Sequence, residues 1–205
     1  MKNTVALLLI TLFIACKSEK KESTITSSTP LTKDVKTSNS TLESGNYSSL
    51  LIDFKCDINI SELAQVLKVV ETDLSISEYQ RDGECRFNIK GFGKNNLGSA
   101  SGISWGPFLT SKAQNKKEIE SYLERKKEGL KIMGMDIQLS ETEDCYIAYQ
   151  PGHGRMLIYN ENYDQAFLMN YGIRSANNDR TKEQHEALRL KMTDLANYLL
   201  KKHRK

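Results

Sequence analysis

The sequence predicts an α+β domain: an antiparallel sheet of about five to six strands, ending in a C-terminal β-meander and packed with about three α-helices. Three observations predict it. Apolar residues recur at helical spacing in separate segments, most cleanly at Leu188, Met192, Leu195, Ala196 and Leu199. Short β-rich runs lie between the helical segments, three of them in succession over "DCYIAYQ", "RMLIYN" and "QAFLMNYGI". Brief turn-rich connections, "PGHG" and "ENYD", join those three. Strands in runs, with helices left to cover their faces, argue for an antiparallel sheet rather than a parallel one.

Taken in order, "SLLIDFKC" reads as a first strand. "NISELAQVLKVV" reads as a helix, with Asn59 and Glu62 spaced as a capping box and Leu63, Val66, Leu67 and Val70 as its apolar stripe. "ECRFNIKGF" alternates as a strand does, "GFGKNNLGSASG" is a Gly/Asn/Ser loop, and "ISWGPFL" resumes extended structure. Asn115 and Glu118 are spaced to cap a second helix, "KKEIESYLERKKEGLKIMG", with Ile119, Tyr122, Leu123 and Leu130 facing inward. "DIQLS" leads into the meander, and Thr181 and Gln184 cap the last helix. The order β-α-β-β-α-β-β-β-α is similar to that of small secreted lipoprotein domains of the PsbP-like kind. That likeness is one of architecture and rests on no diagnostic motif.

The chain begins with a different kind of segment. Lys2 supplies a positive start, and residues 5–15 are an apolar run of eleven interrupted only by Thr11. A membrane-spanning helix needs about 20 apolar residues, so this run reads as a secretory signal peptide. It ends at Leu12-Phe13-Ile14-Ala15-Cys16, and "KSEKKES" follows at once. The segment resembles the lipobox of bacterial lipoproteins. The resemblance implies a diacylglycerol on the Cys16 thiol and cleavage just before it. It also implies anchorage to the bacterial cell envelope, at the outer membrane, facing the periplasm or the surface. Phe13 departs from the leucine usual at its position, while Ala15 fits the small residue required before the cut. Two or more acyl chains would make the anchor stable.

Residues 17–47 contain 13 Ser or Thr and almost no aromatics. Such a composition cannot bury enough apolar surface to offset ordering entropy. Residues 16–47 are therefore expected to be a lipidated cysteine and a disordered tether with an r.m.s. span of about 30 Å. Residues 48–205 are expected to form a single domain. The formal charge is +3, and loss of Lys2 with the signal peptide leaves +2. Acids and bases alternate, and the one basic run, "KKHRK", suits a helix C-terminus. Nucleic acid is therefore not an expected partner.

Beyond Cys16, three cysteines remain: Cys56, Cys85 and Cys145. Export allows a disulfide. Cys56 and Cys85 are the candidate pair, and the other reading is three buried thiols packing as small hydrophobes. No CxxC occurs and the three histidines are scattered, so neither a metal nor a cofactor is expected.

Two stretches carry candidate chemistry. "GISWG" matches the G-x-S-x-G elbow that exposes a nucleophilic serine, here Ser104, where a strand turns sharply into a helix. Asp144 or Asp164 with His185 would complete a triad. Against this, Pro107 and further extended residues follow, and too little chain precedes Ser104 for the upstream strands of such a fold. The other reading is a strand whose glycines admit a close neighbour beside Trp105. The second stretch is the meander, where His153 and Arg155 lie within "PGHGR" and Tyr149 and Tyr159 flank it, the four together a candidate ligand or partner surface. The expectation is thus a lipid-anchored envelope protein whose domain binds a protein or small-molecule partner without catalysis. The alternative is a secreted serine hydrolase using Ser104.

Overall fold

The structure is a computed structural model, and it describes residues 44–94, 98–130, 132–175 and 178–205. The signal segment, Cys16 and most of the tether lie outside the described residues. Among the described residues four α-helices are formed: α1 (Ser48–Leu51), α2 (Ile60–Leu67), α3 (Lys112–Lys127) and α4 (Lys182–His203). The strands are β1 (Leu74–Ile76), β2 (Cys85–Lys94), β3 (Ala100–Leu109), β4 (Asp136–Leu139), β5 (Tyr146–Gln150), β6 (Arg155–Tyr159) and β7 (Gln165–Asn170). All seven lie in one sheet in the order β1-β2-β3-β7-β6-β5-β4, and every neighbouring pair is antiparallel. The fold is α+β, with one strand and one helix more than the upper count expected from the sequence.

The two faces of this sheet are covered unequally. Side chains alternate between faces along a strand. Phe87, Ile89, Ile103, Trp105, Ile147, Met156, Ile158, Phe167 and Met169 point to one face, where Leu63 and Leu67 of α2 and Leu188, Met192, Leu195 and Leu199 of α4 complete the main core. On the other face, α3 lays Ile119 and Tyr122 against Ile137, Ala148, Leu157, Tyr159 and Ala166. That second core spans β4 to β7 only. No described helix packs over the same face of β1, β2 and β3.

Several local readings are corrected. "SLLIDFKC" is not a strand: Tyr47 accepts from the N–H groups of Leu50 and Leu51 and starts a single helical turn. Tyr47, Leu50 and Leu51 are all fully buried, which a strand with one covered face does not allow for adjacent residues. Tyr47 also shows that the folded part begins before Ser48. β1 was not expected, because three residues with one buried side chain carry too little periodicity. The Gly-rich loop is shorter than predicted, since β2 runs to Lys94 and β3 starts at Ala100, with a register shift after Ile89. The α2 stripe ends at Leu67, because Lys68 adopts a left-handed conformation, and Val70 is exposed.

The start of α3 is also corrected. Its cap is Ser111, whose Oγ accepts from the Gln114 N–H at 3.1 Å. Asn115 lies inside the helix, fully buried. Leu123 and Leu130 are exposed rather than inward. At α4 the Thr181–Gln184 capping box is present with both of its hydrogen bonds.

The first described residues are tied to the end of α4. Asn46 and Lys205 exchange two backbone hydrogen bonds, at 2.9 and 3.1 Å. The Gly45 N–H and the Tyr47 hydroxyl donate to Asp144, at 2.8 and 2.6 Å. Burial would raise the Asp144 carboxyl, but these donors, with Arg204 at 3.3 Å, hold it below its usual range.

Candidate functional site

The candidate site is built from the strand register. Arg86 of β2 lies opposite Ser104 of β3, Ser104 opposite Asn170 of β7, Asn170 opposite Arg155 of β6, and Arg155 opposite Gln150 of β5. Residues paired across strands point to the same face. A polar row therefore crosses five strands on the face that only α3 covers. A second row lies beside it, Ser75 of β1, Asn88 of β2 and Gly102 of β3.

Under α3 the row is closed. Gln150 donates to the Tyr122 hydroxyl at 2.7 Å and accepts from the Arg155 Nε–H at 2.6 Å. Over β1 to β3 it is open. There a groove of about 730 Å³ is floored by Arg86, Asn88 and Gly102 and walled by β1 and the turn after it, through Tyr79. A Cβ added at Gly102 would meet nothing within 4 Å, so bare backbone faces the groove. Tyr79 is 66% exposed on the wall, and its ring stands free as a platform.

The groove's cation is matched within the sheet, while the Glu78 carboxylate on its wall has no ion pair among the described residues. Arg86 donates to both oxygens of Glu84, at 2.9 and 3.0 Å. The Glu78 carboxylate beside Tyr79 raises that hydroxyl's pKa. What remains is hydrogen-bonding capacity at Asn88 and Ser75. The Arg86 Nε–H has no hydrogen-bond partner among the described residues but is shut off from solvent and so from the groove. Asn88 makes one long contact, to the Ser75 hydroxyl at 3.4 Å.

The residues singled out in the sequence are distributed differently from the expectation. Tyr149 and Tyr159 are both buried and occupy opposite faces of the sheet. They cannot line one surface, because Tyr149 is an odd number of positions from Gln150 and its cross-strand row. Tyr149 lies under Arg189 of α4, whose guanidinium sits 4.8 Å from the ring centre. Tyr159 lies under α3, and burial raises its hydroxyl well above the usual range. His153 is exposed at the β5–β6 turn, and Arg155 stands at the border of the closed and open halves. Gly154 closes that turn with a φ of +58°, and a Cβ there would meet the Gly172 carbonyl group at 2.1 Å.

Ser104 sits in the polar row, 8% exposed, inside a strand that runs on to Leu109. It is not at a strand-to-helix turn. Gly106 serves close packing instead, since a Cβ there would meet the Gly83 carbonyl at 2.7 Å. The would-be triad partners are engaged elsewhere. His185 is on α4, across the sheet from Ser104, with its Nε2 3.1 Å from the Pro151 carbonyl. Asp144 holds the N-terminal segment, and Asp164 accepts from the Lys112 N–H at 3.0 Å.

Cys56 and Cys85 form a disulfide. Cys145 is a free, buried thiol whose pKa burial pushes up to about 12.

Arg86, Asn88 and Ser75 were not singled out in the sequence. The alternation of "CRFNIK" shows their face, but a polar strand face is ordinarily just solvated. Only the sheet order shows that no helix covers it. Compared with protein-family models, curated proteins and solved structures, the chain matches none.

Proposed function

We propose that this is an exported protein, anchored to the bacterial cell envelope by lipid on Cys16, whose domain binds a ligand non-catalytically in the open groove. The observation that carries the binding role is the uncovered half of the sheet, with the weakly engaged Asn88 amide and the side-chain-free Gly102 on its floor and an exposed tyrosine on its wall. The disulfide supports export, because such bonds persist in oxidising compartments. The lipobox-like segment and the Ser/Thr-rich stretch support the anchor.

The groove also lies well placed for such a role. The chain enters the domain beside Asp144 and Lys205, at the end of the sheet holding the β4–β5 and β6–β7 turns. The row through Gln150 and Arg155 lies at the other end of β5 and β6, about 13 Å along the strands. The ligand class we assign is neutral and hydroxyl-bearing. Arg86 already has a carboxylate partner and Glu78 adds an acceptor, so the groove offers an anion no unmatched cation but offers a hydroxyl-bearing ligand hydrogen bonds and a ring.

The test is amide chemical-shift mapping on the Cys16→Ser protein with neutral mono- and disaccharides. Residues Ser75, Tyr79, Asn88 and Gly102 should shift together, and Asn88→Ala should weaken binding at least tenfold. Shifts confined to other surfaces, or none, would reject the groove. In parallel, the wild type and Ser104→Ala should hydrolyse p-nitrophenyl acetate at the same background rate. A faster wild type would restore the hydrolase reading.

A further inference from the structure

A second pocket stands apart from the groove. It is a cavity of about 190 Å³ between the C-terminal end of α3, the loop after it and β4. Leu130, Ile132 and Met135 supply most of its apolar lining, and Tyr122, Arg125, Lys126 and Asp136 complete it. Leu130 and Ile132 are 49% and 50% exposed, so the apolar rim opens to solvent. A dry apolar cavity of about 150 Å³ is large enough for benzene.

The two cations at this cavity differ. Lys126 is matched, by Asp136 at 2.9 Å and by the Ile137 carbonyl at 2.5 Å. Arg125 has no ion pair among the described residues. Its Nε–H donates to the Ser121 carbonyl at 3.0 Å, and its Nη2 to the Ser121 hydroxyl at 2.9 Å. Its Cζ lies over the Tyr122 ring, 4.7 Å from the centre. One edge of the guanidinium is held by these contacts. The remaining corner, Nη1, meets only the Met135 thioether at 3.9 Å, a weak acceptor.

We infer that this cavity is a binding site for a small carboxylate with an apolar body of about one aromatic ring. The body would fill the space among Leu130, Ile132 and Met135, and the carboxylate would take the free N–H groups of Arg125. A preorganised guanidinium suits a planar carboxylate, which can accept two parallel hydrogen bonds. A neutral ligand of the same shape would leave the positive charge unmatched, so charge sets the specificity.

Titration of the Cys16→Ser protein with benzoate and with benzamide tests this, with methyl chemical shifts as the readout. Benzoate should saturate with a Kd of about 1 mM or tighter, a range open to so small a ligand. Its shifts should centre on Leu130, Ile132 and Met135, and benzamide should bind at least tenfold more weakly. Arg125→Met should lose at least tenfold in benzoate affinity. Leu130→Trp, at a half-exposed position that tolerates bulk, should block the cavity and abolish binding while leaving the thermal melt unchanged. Equal binding of the two probes, shifts centred elsewhere, or no saturation by benzoate would each overturn the inference.

Discussion

Asn115 is buried within α3, and its side-chain amide donates to the carbonyls of Asn160, Tyr163 and Gln165 at 3.3, 2.8 and 3.1 Å. It ties the helix to the β6–β7 turn. Asn115→Ala should therefore lower stability by about 2–3 kcal/mol, because buried carbonyls lose their donor. Glu118→Ala should cost less, about 0.5 kcal/mol, because Glu118 is only partly buried and its hydrogen bond is to Gln114 within the same helix. Urea midpoints for the two variants check this, and the reverse ranking would reinstate Asn115 and Glu118 as a cap. Their spacing was legible in the sequence, but Ser111 lay one turn earlier with the same chemistry, and spacing alone does not choose between them. Cys145 gives a second expectation at this scale. In the Cys16→Ser protein, Ellman's reagent should find no thiol in the native state and one after non-reducing denaturation. A native thiol signal, or three thiols on unfolding, would contradict the disulfide and the burial described.

Among the elements, the long periodic ones were the most readable. α4 buries Leu188, Met192, Leu195, Ala196 and Leu199, the five residues that its 3.6-residue period picks out. The meander strands were likewise visible, because apolar runs between turn residues leave little choice. α1 and β1 were not, for they are four and three residues long and owe their form to what they pack against. The disulfide acts at this scale, linking the segment before α2 to the start of β2 across 29 positions. Closing a loop of that length stabilises by about 3–4 kcal/mol in the chain-entropy picture. The Cys56→Ser/Cys85→Ser double variant should lose about that much in chemical denaturation. A loss below about 1 kcal/mol would show that packing around α2 already restrains the chain. In either case the open groove over β1 to β3 depends on how α1, α2, α3 and α4 divide between the two faces, which no single segment encodes.

At the scale of the whole molecule, the account joins an address to a shape. The first described residues are clamped beside the C-terminus, with Tyr47 fully buried and Asp144 as the anchor point. α4 rises from there by about 33 Å over its 22 residues. Its far end lies beside the β5–β6 turn, where His185 meets Pro151. If the proposed tether holds the domain at the first end, the polar row lies nearer the second. The proposed address rests on the order of apolar run, small residue, cysteine and hydrophilic stretch, all of it outside the described residues. The groove was not legible in the sequence, because it arises from what is left uncovered when seven strands are arranged and α3 reaches only four of them. The anchor is the claim on which the rest of the functional account depends. The intact mass of the mature protein extracted from membranes, measured beside the Cys16→Ser variant, tests it most directly. The account predicts a mass matching residues 16–205 plus a diacylglycerol, with the lipid absent from the variant. A soluble chain cut at another position and carrying no lipid would contradict it.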